Sequence, residues 1–122
     1  MRDRIMNYAT GAFREYASLQ MPNYSELLES FAKKGKVEDD AALLLDVFAV
    51  EKTMEYFDEV NPIVSDAIRE IYFALPSTPF TDRVAAGRVR FFSASRNVSE
   101  RSIYRWLRQA REVFAKNRGL RI

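Results

Sequence analysis

Residues 98–114 read Val-Ser-Glu-Arg-Ser-Ile-Tyr-Arg-Trp-Leu-Arg-Gln-Ala-Arg-Glu-Val-Phe, and the order of side chains in that run predicts a helix with two unlike faces. Ile103, Trp106 with Leu107, Ala110 and Phe114 recur at three- and four-residue steps, which aligns them on one apolar side. Arg101, Arg105, Arg108 and Arg111 fall on the other side, so a packed helix is expected to show water a column of guanidinium groups. Ser99 is a good N-cap, and Glu100 then sits at the positive end of the helix dipole. Trp106 belongs with the apolar side and is expected in the core. Tyr104 is expected at its rim.

The residues just upstream fit a second helix and a tight turn. Asn97 stands where a left-handed backbone is often needed, a conformation Asn tolerates better than most residues. Val98 follows as a turn hydrophobe, and Ser93 is small enough for two helices to cross closely. Val84, Ala85, Val89 and Phe92 supply the apolar face of a supporting helix, with Thr81 as its N-cap.

Ser99-Glu100-Arg101-Ser102, Tyr104-Arg105-Trp106, Ala110 and Phe114-Ala115 together resemble the recognition helix of region four in bacterial sigma factors. The run is more similar still to the autolysin-regulator-like (ArpU-type) and RinA-type phage transcriptional regulators. Those are small helical proteins ending in a sigma-like helix-turn-helix. The likeness covers the last third of the chain, from Thr81 onward, with Asn97 in place of the common turn glycine. It implies a double-stranded DNA-binding regulator that reads the major groove with a helix over 99–116. It places Glu100, Arg101, Tyr104 and Arg105 toward bases and Arg108 nearer the backbone, together with Ser99 and Ser102. Arg83, Arg88, Arg90 and Arg96, on or beside the supporting helix, are candidates for phosphate contact.

Charge distribution agrees with a polyanionic partner. Residues 1–80 carry 8 Lys/Arg against 14 Asp/Glu, whereas residues 81–122 carry 11 against 3, and a net charge of +2 conceals the split. Most of the C-terminal basic residues are Arg, whose fork suits phosphates and guanine edges. No cysteine and no histidine occur, which removes disulfides, thiolate zinc sites, thiol catalysis and the commonest metal ligand. Neither cofactor nor catalysis is expected. No apolar run is long enough to span a membrane, no leader is recognised, and a cytoplasmic setting is expected.

With 122 residues there is material for one core and little for two. Residues 4–19 predict a helix through Ile5, Ala9, Ala12, Tyr16 and Leu19, with Phe13 beside that seam and Gly11 weakening it. Asn23 or Ser25 caps a short helix presenting Leu27, Leu28 and Phe31. A long helix over 38–59 is expected to open on Glu38-Asp39-Asp40 and to bury Leu43, Val47, Val50, Met54 and Phe57, with Leu44 and Phe48 widening the seam. Asn61-Pro62 starts the next helix, with Val64, Ile68, Ile71 and Leu75 inward. Leu75-Pro76-Ser77-Thr78-Pro79 is the clearest break. The expected organisation is all-α: a small acidic helical bundle over 1–75, for dimerisation or protein contact, followed by a C-terminal helix-turn-helix over 76–122. RNA polymerase is a candidate partner. The four-three seams fit either a coiled-coil homodimer or packing within one small bundle, and a dimer suits a single reading helix.

Two other functions compete. A DNA-recognition adaptor of a phage packaging machine, like the small terminase subunit, uses the same helix-turn-helix in a ring. Glu26-Leu-Leu-Glu29 and Glu55-Tyr-Phe-Asp58 also resemble the ExxE…ExxD pattern of MazG-like nucleotide pyrophosphohydrolases, where carboxylates on one helix face hold Mg²⁺. An acid-rich half-chain also produces that pattern as a solvated face.

Overall fold

The computed structural model describes residues 2–121 and is all-helical, with no strand among them. Helices α1 (Arg2–Ser18), α2 (Tyr24–Lys33), α3 (Ala41–Val60), α4 (Pro62–Ile68), α5 (Asp82–Arg96) and α6 (Glu100–Arg118) follow one another, and α4 runs on through a π-helical turn, Arg69–Phe73. No helix among the described residues is long and apolar enough to cross a membrane.

The helix starts follow local chemistry. Asn23, Thr81 and Ser99 each accept a hydrogen bond from a backbone N–H three residues on, satisfying donors the first turn leaves free. Pro62 occupies the first turn of α4, where its missing N–H costs nothing. Helix α3 begins at Ala41 rather than 38. Residues 37–40 form a turn of their own, closed by Asp40 N–H donating to Lys36 C=O, so the three acids precede the helix.

One hydrophobic cluster holds the molecule together. Phe13 lies at its centre, stacked on Tyr72 with ring centroids 5.3 Å apart and tilted against Phe114 at 5.6 Å. Ala9, Ala12 and Tyr16 of α1, Val47, Val50, Met54 and Phe57 of α3, and Val64, Ile68 and Ile71 after Pro62 join it as their spacing predicts. So do Val89 and Phe92 of α5 and Ile103, Leu107, Ala110 and Phe114 of α6. Helix α6 lies against α3, α1, α4 and α5, so residues from before and after the 75–79 break share this core. Gly11 leaves α1 unbroken.

The chain departs from its pattern at two places near that break. Leu75 is 68% exposed with φ +49°, not inward, because the π-helical turn ends at Phe73 and the backbone swings out. Leu19, the last member of the α1 seam, likewise lies beyond the helix end and is exposed. The exposed segment is nevertheless fastened. Arg14 of α1 donates from Nη1 to the carbonyls of Tyr72 and Ala74, and from Nη2 to those of Leu75, Pro76 and Thr78, at 2.7–3.2 Å. Its guanidinium also lies 5.0 Å from the centre of the Phe80 ring.

Candidate nucleic-acid interface

Helices α5 and α6 are joined by three residues. Asn97 takes φ 55° and ψ 47°, the left-handed conformation anticipated for it, and its N–H reaches Ser93 C=O. Ser93 closes the turn twice, accepting from Val98 N–H at 3.2 Å and donating its hydroxyl to Val98 C=O. Val98 is partly buried against the core, and Ser99 then caps α6. The small side chain at 93 therefore does more than allow a close crossing: it bonds the turn.

Helix α6 is divided along its length. Its C-terminal half is fastened to the body: Asn117 Nδ2 donates to Thr53 Oγ1 at 3.1 Å, and Arg118 Nε to Asp46 Oδ1 at 2.7 Å. Tyr8 donates its phenol to the same Asp46 carboxylate at 2.8 Å. Its N-terminal half buries Ile103 and Leu107 and leaves the opposite side open. There Glu100, Arg101, Tyr104, Arg105 and Arg108 are all exposed, Tyr104 to 48%. No carboxylate among the described residues lies within ion-pair distance of Arg101, Arg105 or Arg108. Ser102 is partly covered, and both serine hydroxyls are engaged with each other at 2.9 Å. Trp106 is half-buried, packed on the core from its edge.

The remaining arginines separate into two groups. Arg83 and Arg90 on α5 are exposed. Arg88 is instead bound within the fold, donating to Ile71 C=O at 2.8 Å with its guanidinium 5.6 Å from the Phe80 ring centre. Arg96 is paired with Asp66 at 3.1 Å and with Glu70, and lies over the Phe92 ring. Both were expected as phosphate contacts. Each is committed to joining α5 to α4 and its π-helical extension. Arg111 leaves the anticipated solvent column as well: it is partly buried and donates to Tyr72 Oη at 2.6 Å. At three turns past the start of α6, the basic side has rotated against α1 and α4. The exposed cationic strip of α6 is thus Arg101, Arg105 and Arg108, and Arg83 and Arg90 are the exposed arginines of the preceding helix with no partner among the described residues.

Two surface residues escaped the sequence reading. Gln109 is exposed one turn beyond Arg105, and the four-residue step was there to show it. Phe91, on α5 beside Arg90, is 68% exposed. The three-residue step from Val89 puts Phe92 and not Phe91 on the apolar face, so its exposure follows from the spacing. The acidic pairs do not assemble into a metal site: among the described residues no three potential ligands come together. Glu29 is paired with Lys33, Glu55 with Lys52, and Asp58 with Arg69.

No protein-family model, curated protein or solved structure matches this chain.

Proposed function

We propose that this protein is a sequence-specific double-stranded DNA-binding regulator of transcription, with α5, the Asn97 turn and α6 acting as its helix-turn-helix. One observation carries the reading. Arg14, Arg88, Arg111 and Arg118 are partly buried and bonded to the fold, and Arg96 is tied to Asp66 and Glu70 at the surface, whereas Arg101, Arg105 and Arg108 are exposed along one half of one helix with no carboxylate among the described residues within ion-pair distance. A helix of ordinary width fits the major groove, and a strip of guanidinium groups there meets phosphates and guanine edges. Arg101 and Arg105 are the guanine readers in this arrangement, Glu100 accepts from a cytosine amino group, and Tyr104 packs at the groove edge. Arg83, Arg90 and Arg108 hold the flanking phosphates. One such helix covers few base pairs, so two copies on paired half-sites about 34 Å apart are the natural bound form.

Selection of bound duplexes from a random pool, repeated with variants, tests the reading. Arg101→Ala and Arg105→Ala should each relax preference at one or two base positions, by about 1–3 kcal/mol. Arg90→Ala should weaken every duplex by a similar factor. If all three variants lowered every sequence equally, the base-reading assignment would be wrong. If no duplex were enriched by the unaltered protein, the function itself would be.

A further inference from the structure

A recess of about 790 Å³ opens between α1, α5 and α6, floored in part by the π-helical turn. Ile71, Val89 and Leu107 lie almost wholly buried behind its wall, and Met6, Phe80 and Tyr104 give it apolar surface among the polar groups. Its charges are sorted by depth. The carboxylates, Asp3 and Asp82, are exposed at the rim, whereas Arg111 is partly buried on the inner wall. No carboxylate among the described residues is within ion-pair distance of Arg111. Its Nη1 is held by Tyr72 Oη, and its buried Nε has no hydrogen-bond partner. A half-buried guanidinium without an anion is costly, and an orphaned donor on it adds to that cost. Helical π-turns are, in general, concentrated at functional sites, and this one supplies both Ile71 and Tyr72 to the recess. Concavity of this size with a few convergent polar groups is what small-molecule sites share.

From these features we infer that the recess binds a small carboxylate with an apolar body. The carboxylate lies at Arg111 with Arg108 closing over it, and the body rests on Met6, Phe80 and the Tyr104 ring. Tyr104 and Arg108 line the recess and also belong to the exposed strip of α6, so an occupant alters what that strip presents. Given the DNA-binding reading, on which this last step alone rests, the carboxylate changes affinity for duplex.

Amide NMR on the full-length protein without DNA decides the site. Benzoate, phenylacetate and octanoate are titrated, each beside its uncharged amide. At least one carboxylate should move the signals around Tyr72, Val89, Leu107 and Arg111, and its amide should not. Arg111→Met should weaken that binding by at least about tenfold, the loss of a charge-assisted hydrogen bond. Arg108→Gln, at the exposed rim, should weaken it less while leaving the helical circular dichroism unchanged. Signals that stay still for all three acids, or move equally with the amides, overturn the proposal. Duplex affinity measured with and without the bound acid should differ, and equal affinities overturn the coupling. If the protein bound no duplex at all, the DNA reading would fail while the NMR result still judged the site.

Discussion

Arg14 shows how much one side chain can decide here. Its five carbonyl partners span residues 72–78, so a single guanidinium from α1 fixes the path of the chain between α4 and α5. Burial, and then the neighbouring Arg88 charge, lower its pKa below the ordinary arginine value. Arg14→Met should destabilise the protein by about 1–3 kcal/mol in urea unfolding, because hydrogen bonds from a charged group to the part-buried Tyr72 and Ala74 carbonyls are lost, while water replaces those to the exposed carbonyls. An effect under about 0.5 kcal/mol would show that the clamp is incidental. Asn97 gives a test of backbone conformation. At φ 55° Asn97→Gly should be neutral or slightly stabilising, and Asn97→Val should cost about 1–2 kcal/mol. Tyr8 supplies a pH dependence. Burial first, then its hydrogen bond to Asp46 and the Asp46 charge, raise its pKa, and burial also raises that of Tyr16. A raised folded-state value favours the neutral phenol. That contribution is therefore complete below the ordinary tyrosine value of about 10 and disappears as pH climbs through the higher folded value. Alkaline unfolding should become shallower in Tyr8→Phe.

At the level of elements, α6 serves two purposes in sequence along its axis. Residues 100–108 display their polar side, and residues 110–118 are fastened to α1 and α3. Phe114→Ala should cost about 3–5 kcal/mol, as removal of a fully buried ring does. Arg101→Ala and Arg105→Ala should change thermal stability by less than about 0.5 kcal/mol, since both side chains are exposed. Much of this was legible in the chain. Asn23, Thr81 and Ser99 mark helix starts by their chemistry, and the apolar steps of α1, α3 and α6 select the buried faces correctly. Other features were hidden for physical reasons. The helix stops at Phe73, where Ala74 turns extended, so Leu75 lies beyond it and the extrapolated pattern no longer applies. Arg88, Arg96 and Arg111 have the same composition signal as Arg101 and Arg105, and only tertiary partners far along the sequence separate them. Helical spacing tells which way a side chain points and not what it meets.

For the molecule as a whole, the single core has a consequence for how the chain comes apart. The apolar side of α6 rests on α3, α1 and α4, so a fragment of residues 76–122 would expose most of what holds that helix. Such a fragment should show little helix by circular dichroism, while the full chain should unfold in one transition. A folded fragment would mean that the C-terminal helices need no support from the rest. Electrically the two parts differ: the acidic helices α2 and α3 carry the negative excess, and the open strip of α6 with Arg83 and Arg90 carries the positive one. On the proposed reading, such a charge split favours approach of a polyanion from the basic C-terminal helices. The most direct measurement is duplex affinity against salt concentration, using random-sequence DNA so that no operator need be known. With Arg83, Arg90, Arg101, Arg105 and Arg108 meeting phosphates or the groove, the logarithm of the affinity should fall with that of salt at a slope of about −3 or steeper. A slope near zero, or no measurable binding at low salt, would contradict the account.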